Sequence, residues 1–484
     1  MNKKRSLSVN AFLNGLRNFL NLLFPLITFP YVSRILTVDG VGIYNFSSTY
    51  VGYFLLIASL GITTYAVREG TKYRDEKVAF ETFSSQVFSI NMISTVIAYL
   101  LLFLSLLFIK RLEEYSICIL IFSVQILFTT IGTEWIYTIY EDFSYITVRS
   151  ILFKVISIVL LFLLVKKPSD YYWYAGITVF ASVGSNILNY VHLRKFIRLK
   201  LTSKVNWRKH LRPILIIFAS QLAVSIYVYS DNTILGLLKN DYAVGIYSIS
   251  VKIYTIAQGL LTSVLAVTIP RLAMLYGKNL FKRYNNLLNN LINTLLVLSI
   301  PATIGLMMLS KDIVTIIASE KYLPSVTSLQ IISFAILFSI LSWIFSECIL
   351  IPAKRENYVL RSTVVTACFN VLINLLFIPL WTYNGTALST VLSELLSAIM
   401  NAYYSRDILL KAKTYHNVGK TFLDIILGCI GIVITCMLVS MIISNIVFQL
   451  IVSVIVSILV YGLILMAVQN KEISVLLDRF RKRW

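Results

Sequence analysis

VGIYNFSSTYVGYFLLIASLGITTYAV, residues 41–67, is the stretch on which the reading of this chain turns. It runs 27 residues without a charged side chain, longer than the ~20 that carry a helix across ~30 Å of hydrocarbon. Its opening tetrad, Val41-Gly42-Ile43-Tyr44, returns 203 residues later as Val244-Gly245-Ile246-Tyr247. An apolar span that recurs at such an offset implies a membrane protein built from two related halves.

Outward from that span, fourteen apolar stretches fill the chain: 10–35, 41–67, 78–109, 115–137, 148–165, 171–191, 211–237, 243–269, 287–309, 326–351, 359–381, 385–404, 422–442 and 445–468. Composition agrees, with 58% hydrophobic residues, 13% charged and a mean hydropathy of +0.80, where soluble domains carry about 25% charge. Met1 to Ser8 places Lys3, Lys4 and Arg5 ahead of an apolar run that continues past Pro25 without a small-residue cleavage site, so it is expected to stay as the first helix. The five cysteines all fall in apolar stretches and show no disulfide or metal-knuckle spacing. No cofactor or metal is expected.

The net charge of +21 is spread over loops. A nucleic-acid binder gathers Lys and Arg on one water-facing domain, and the loops leave no room for one. With the N-terminus inside, 32 of the 43 Lys and Arg fall in inner segments, seven in outer loops and four (Arg17, Arg34, Lys154, Lys252) within spans. That direction of bias places both termini in the cytoplasm. The longest outer loop, 310–325, is too short for an external catalytic domain. Asp-rich metal motifs, Ser-His-Asp sets and phosphate-cradling glycine loops are absent, and His192, His210 and His416 scatter over cytoplasmic segments. The reading is therefore not an enzyme.

At the 203-residue offset Ser47 falls on Ser250, and Arg68, just past the second span, falls on Arg271, just past the eighth. Spans one and seven both start inside, so the blocks form a parallel repeat about an axis along the membrane normal. The fold expected is an all-α integral membrane protein of 14 transmembrane helices: two parallel six-helix lobes, 1–205 and 206–410, around a central cavity, then an extra helix pair and basic cytoplasmic tail in 411–484.

Polar stripes must face a cavity or a partner helix, because an unpaired polar group in hydrocarbon costs several kcal/mol. In the first span Asn10, Asn14, Arg17, Asn18, Asn21 and Thr28 lie within an arc of about 100° at helical spacing, and Pro25 on that arc removes a backbone hydrogen bond and predicts a bend. Span eight carries Ser248, Lys252, Thr255, Gly259, Thr262 and Ser263; its repeat counterpart carries Asn45, Thr49, Gly52 and Ser59. Span twelve carries Thr390, Glu394, Ser397 and Asn401, and span eleven Thr363, Thr366, Asn370 and Asn374. The bland alternative for each stripe is helix-packing glue. Arg17, Lys252 and Glu394 resist it, since a charge near the bilayer centre costs ~2.5 kcal/mol or more. Lys154 can snorkel from mid-span, and Arg34 and Asp231 fall near the outer surface.

Four segments together carry a family resemblance: PYVSRILTVDGVGIYNF (30–46), LIASLGITTYAVREG (56–70), EWIYTIYEDFSYITVRSI (134–151) and SDNTILGLLKNDYAVGIYSISVKIY (230–254). They resemble oligosaccharide flippases of the polysaccharide-biosynthesis (Wzx) type, in the superfamily that also holds the multidrug-and-toxin extrusion transporters. The likeness covers the first twelve spans; the pair from Phe422 is generic. Thr37-Val38-Asp39 stands where members often have Gly or Pro, and Thr63 where Pro is common, departures that touch turn geometry.

The resemblance implies a carrier in the bacterial cell membrane that moves an undecaprenyl-diphosphate-linked oligosaccharide to the outer leaflet for capsule, O-antigen or exopolysaccharide assembly. Membrane lipids surround it, and the pathway's polymerase and glycosyltransferases are its expected partners. Arg17 and Lys252 suit a diphosphate; Asn14, Asn18, Asn21, Asn45 and Thr255 suit sugars; Glu394, Asp231, Pro25 and Lys154 are candidates for coupling or gating. Two alternatives stay open. A cation-coupled multidrug exporter should line its cavity with acids, and a non-transporting scaffold or polymerase subunit should carry a large soluble loop.

Overall fold

A computed structural model describes residues 24–194, 196–411 and 418–470. Among them every regular element is helical: α1 (24–35), α2 (Val38–Ser59), α3 (Ile62–Gly70), α4 (Lys77–Phe108), α5 (Ser116–Gly132), α6 (Glu134–Ile139), α7 (Phe143–Leu164), α8 (Tyr171–Leu193), α9 (Trp207–Leu238), α10 (Asp241–Gly277), α11 (Phe281–Met308), α12 (Ser310–Ala318), α13 (Ser325–Trp343), α14 (Glu356–Lys411), α15 (Val418–Ile442) and α16 (Ile446–Ala467). Eleven helical stretches of the described residues are long and apolar enough to cross a membrane. Most of the first expected span lies outside the described residues. The sixth forms α8, whose inward residues include Ser185, Asn186 and Asn189.

Three expected spans are interrupted, two by left-handed residues and one by a π-helical turn. The 41–67 stretch breaks at Leu60 (φ 46) and Gly61 (φ 71), the 115–137 stretch at Thr133 (φ 41), and the 326–351 stretch passes from α13 into a π-helical turn at Ile344–Leu350. Hydropathy cannot see such breaks, because a left-handed residue changes direction without changing polarity. In α14, Thr382 (φ 50, ψ −128) separates the eleventh and twelfth spans within one 56-residue element. Thr37, at the departure from the family turn, caps α2: its hydroxyl accepts from the Gly40 N–H at 3.0 Å.

The chain divides into two compact units, Met1–Gly245 and Ile246–Trp484. In the first, a core of Tyr65, Phe80, Phe83, Trp135, Tyr137 and Ile214 joins α3, α4, α6 and α9. This unit extends past residue 205, since α9 packs on α2, with Tyr53 and Tyr229 edge to face at 5.4 Å, and on α3 and α4 through His210. That ring, 1% exposed, meets Tyr65 Oη and Gln86 Oε1, each at 2.7 Å. Gln86 Oε1 can only accept, so Nε2 carries the proton and Tyr65 donates to Nδ1.

The connector from α8 to α9 is an extended strap laid along α4. The N–H groups of Arg198, Lys200 and Thr202 donate to Glu81 Oε1, Ser85 Oγ and Ser89 Oγ at 3.0, 3.3 and 2.9 Å. Two extended residues advance ~6.6 Å and four helical residues ~6 Å, so the two periods run in step.

The repeated tetrads occupy a crossing of backbones. A Cβ on Gly42 would stand 1.9 Å from the Asp241 carbonyl oxygen, and one on Gly245 would stand 2.2 Å from that of Val38. Asp241 is itself the 203-residue counterpart of position 38, so the contact is reciprocal under the repeat.

In the second unit, α11, α15 and α16 share a core of Val297, Ile425, Cys429, Cys436, Tyr461 and Leu465. Tyr461 donates to the Val297 carbonyl at 2.8 Å. Arg355, in the turn before α14, makes a bidentate pair with Asp407, both contacts at 2.7 Å. The carboxylate holds the guanidinium further above its ordinary value.

Candidate functional site

The breaks at Leu60–Gly61 and Thr133 open a cavity of about 280 Å³ within the first unit. Its walls lie on either side of each break: Leu55, Ala58 and Ser59 before the first and Thr63 after it; Ile126, Thr129 and Thr130 before the second and Glu134, Trp135 and Thr138 after it. Asn91 of α4 and Asn186 of α8 close it. Ending α2 leaves its last carbonyls without helical partners, and α4 answers, with Asn91 Nδ2 and Ser94 Oγ donating to the Ala58 carbonyl at 2.7 and 2.6 Å. Thr95 and Thr130 share a hydroxyl contact of 2.7 Å. A Cβ at Gly132 would meet Asn186 Cγ at 2.5 Å, so glycine is what lets α8 bring that amide against the end of α5.

Among the described residues the wall mixes apolar with polar groups and carries one acidic side chain, Glu134, and no Lys or Arg. The indole N–H of Trp135 is buried with no acceptor among the described residues. Beside the cavity, Arg149 of α7 is 5% exposed and sits 5.7 Å from the Tyr145 ring. Tyr145 stacks on His192 at 4.1 Å, and Tyr137 donates to the Asn189 carbonyl at 2.6 Å.

Of the residues expected from sequence, Arg17, Asn14, Asn18 and Asn21 lie outside the described residues. Pro25 is half-buried in α1, and Lys154 Nζ stands 6.0 Å from the Phe24 ring centre. Asn45 donates to its own helix at the Val41 carbonyl, 2.8 Å, and Asp231 is half-buried on α9. In the second unit Lys252 is half-buried on α10; Thr255 is exposed and donates to the Val251 carbonyl at 2.6 Å. Glu394 is 9% exposed, one turn from Thr390, whose hydroxyl meets that of Tyr247 at 3.1 Å. The twelfth-span stripe continues in Ser397 and Asn401, which bond to Ser342 Oγ at 2.7 and 3.0 Å.

Glu134, Trp135, Asn91 and Asn186 carried no expectation as site residues. The signal available was Gly132-Thr133-Glu134, a small residue, a turn former and an acid in the middle of an apolar run.

The fold is that of a multi-pass helical membrane protein. It superposes on the lipid II flippase MurJ in an inward closed conformation with a TM-score of 0.76 at 16% identity, covering 94% of this chain and 98% of that one. An inward-facing multidrug resistance MATE family transporter follows at 0.62 and 14%, covering 81% and 96%. In sequence, the chain is 24% identical over 388 residues to a Shigella dysenteriae protein named as an O-antigen transporter, covering 78% of this chain and 94% of that protein. It is 23% identical over 401 residues to the capsular polysaccharide biosynthesis protein CapF of Staphylococcus aureus, covering 81% and 97%. Residues 7–276 match the polysaccharide biosynthesis protein family and 217–380 the MatE family. The chain belongs to the polysaccharide biosynthesis protein family.

Proposed function

We propose that the chain is a flippase that carries polyprenyl-diphosphate-linked oligosaccharides from the inner to the outer leaflet by alternating access. The observation that carries this reading is the flippase-like fold over 94% of the chain in a member of a polysaccharide family. The proposal includes fourteen spans in two parallel lobes, 1–205 and 206–410, with a helix pair in 411–484, and cytoplasmic termini in a bacterial cell membrane. The substrate is an undecaprenyl-diphosphate sugar, and the pathway's polymerase and glycosyltransferases are partners. Arg17 and Lys252 supply the cationic contacts, Asn14, Asn18, Asn21, Asn45 and Thr255 sugar contacts, and Pro25, Lys154 and Asp231 gating. Catalysis of bond making or breaking is not part of the reading.

The energetics suit an uncoupled carrier. A diphosphate with about two negative charges leaving an inside-negative cell gains ~2.3 kcal/mol per charge per 100 mV, or ~4 to 5 kcal/mol. The MatE match favours a second reading, a cation-coupled exporter, in which Glu394 titrates. Transport of a lipid-linked oligosaccharide into proteoliposomes under a potassium-valinomycin potential, without pH or sodium gradients, separates the two. Transport is expected in the parent and in Glu394→Gln, and at least tenfold less in Lys252→Ala; an absolute need for an ion gradient refutes the uncoupled scheme, and no transport under any gradient refutes the flippase.

Topology has its own check. In a Cys368→Ser background, a cysteine at exposed Lys200 is expected to be shielded from an impermeant thiol reagent in intact cells, and one at exposed Lys321 to react. The reverse pattern overturns the orientation.

A further inference from the structure

We propose that the connector between α8 and α9 is a docking surface for the anionic phospholipids of the leaflet it faces, and that Arg198, Lys200, Lys204 and Arg208 hold their phosphates. The proposal goes beyond the flippase reading and does not depend on it, since the surface would serve an exporter equally well. Residues 194–212 carry eight Lys and Arg, and no Asp or Glu occurs between Tyr171 and Ser230. A basic cluster of that size beside a span attracts an anionic leaflet at short range. A basic loop also follows from membrane orientation alone, so charge by itself does not carry the assignment. What carries it is how the fold presents these residues. The strap is fixed on α4 through main-chain N–H groups, and it sends Ile197 and Leu199 into the core of the first unit. Extended residues alternate in direction, so Arg198 and Lys200 are turned out and exposed. The fold uses neither charge.

Lys204, Arg208 and Arg212 are exposed as well, and among the described residues none of these five cations is paired with an acid. Glu81, the acid that the strap touches, accepts the Arg198 N–H, while Glu69 and Glu141 are held by Lys72 and Arg74. Outside the described residues the chain has two acids, Glu472 and Asp478, in a tail that carries five Lys and Arg. Two apolar side chains complete the surface. Leu201 is 67% exposed on the strap, and Trp207 is 42% exposed at the start of α9. Trp207 lies one turn, ~6 Å, before Leu211, where the apolar run of this helix begins; that is headgroup depth, the level tryptophan favours. Cations for phosphates, with an indole and an aliphatic chain for the acyl boundary, are the two components of binding to a charged membrane interface. Charges strung along residues 194–212 match a row of single phosphates rather than one diphosphate.

The test is lipid binding to the full chain in detergent, read by native mass spectrometry with phosphatidylglycerol, phosphatidylcholine and undecaprenyl diphosphate titrated separately and in competition. Phosphatidylglycerol should bind the parent about tenfold more tightly than phosphatidylcholine. Replacing Arg198, Lys200, Lys204 and Arg208 together by Gln should bring that ratio to about twofold. Its thermal melt should stay near the parent's, because main-chain groups hold the strap. Lys204→Gln with Arg208→Gln, which lies beyond the bonded part of the strap, should by itself lower the ratio about threefold and serves if the fourfold variant does not fold. Gln at four scattered exposed lysines, Lys110, Lys166, Lys167 and Lys311, removes the same charge and should leave the ratio near the parent's. The surface is overturned if the parent shows no preference, if the strap variants keep it, or if the scattered variant loses as much. It is overturned too if undecaprenyl diphosphate displaces phosphatidylglycerol at equal concentration, which would assign the cations to a substrate headgroup. Binding is read here without transport, so a chain that fails to flip in proteoliposomes overturns the flippase reading and leaves the lipid surface standing.

Discussion

Gly42→Ala and Gly245→Ala are each expected to deplete the protein from the membrane and to abolish a cooperative thermal transition in detergent. A methyl at either position would lie 1.9 or 2.2 Å from a main-chain carbonyl oxygen, far inside the contact distance. Ordinary overpacking costs ~1–3 kcal/mol because side chains yield. Here the obstacle is backbone at the start of α10 or of α2, so a whole helix must move, and the cost should exceed ~4 kcal/mol, the range in which single substitutions become exceptional. Gly277→Ala is the control: nothing stands within 4 Å of its Cβ, so its level and melting temperature should stay near the parent's. A variant at Gly42 that melts like the parent would show that the crossing is looser than described.

His210→Phe is expected to have the next largest effect. Phenylalanine fills the same space between Tyr65 and Phe83, whose rings lie 5.8 Å from the imidazole, but it strips the hydrogen bonds from Tyr65 Oη and Gln86 Oε1 in a site where histidine is 1% exposed. Each stranded polar group costs ~1–3 kcal/mol, so the loss is ~2–6 kcal/mol and the N-terminal half of α9 should detach. Hydrogen exchange would read this as deprotection of the first turns of α9. The double variant His210→Phe with Tyr65→Phe should recover part of the stability, because it removes one of the two stranded groups; a double variant no better than the single would place the loss elsewhere.

The span pattern was legible because burial in lipid is written residue by residue: eleven long apolar helices fall on twelve of the stretches picked out by hydropathy. The polar stripe of span twelve was also legible, since Ser397 and Asn401 do face Ser342. In span eleven Asn374 donates to Asn370 at 3.1 Å, both fully buried, which is the packing role that small polar residues most often play. The cavity was not legible. Ser59, Asn91, Thr130, Glu134 and Asn186 sit on five helices, and only the reversals at Leu60 and Thr133 bring them together. His210 was hidden for a related reason: its place at the polar edge of a span suggests solvent, while its two partners come from α3 and α4, more than a hundred residues away.

The strap between α8 and α9 shows where the instruction for a connection is stored. Its hold on α4 is made by its own main-chain N–H groups, which every residue but proline possesses, so the side chains of Arg198, Lys200 and Thr202 contribute nothing to that recognition. The address is written on the other partner, in the acceptors Glu81, Ser85 and Ser89. As far as the fold goes, positions 198, 200 and 202 are thus free to vary in charge and size, provided that the connector's length in residues is kept, while Ile197 and Leu199 between them are held by the core. Adding or deleting one residue would put the wrong N–H groups opposite α4, whereas exchanging side chains would leave them in place.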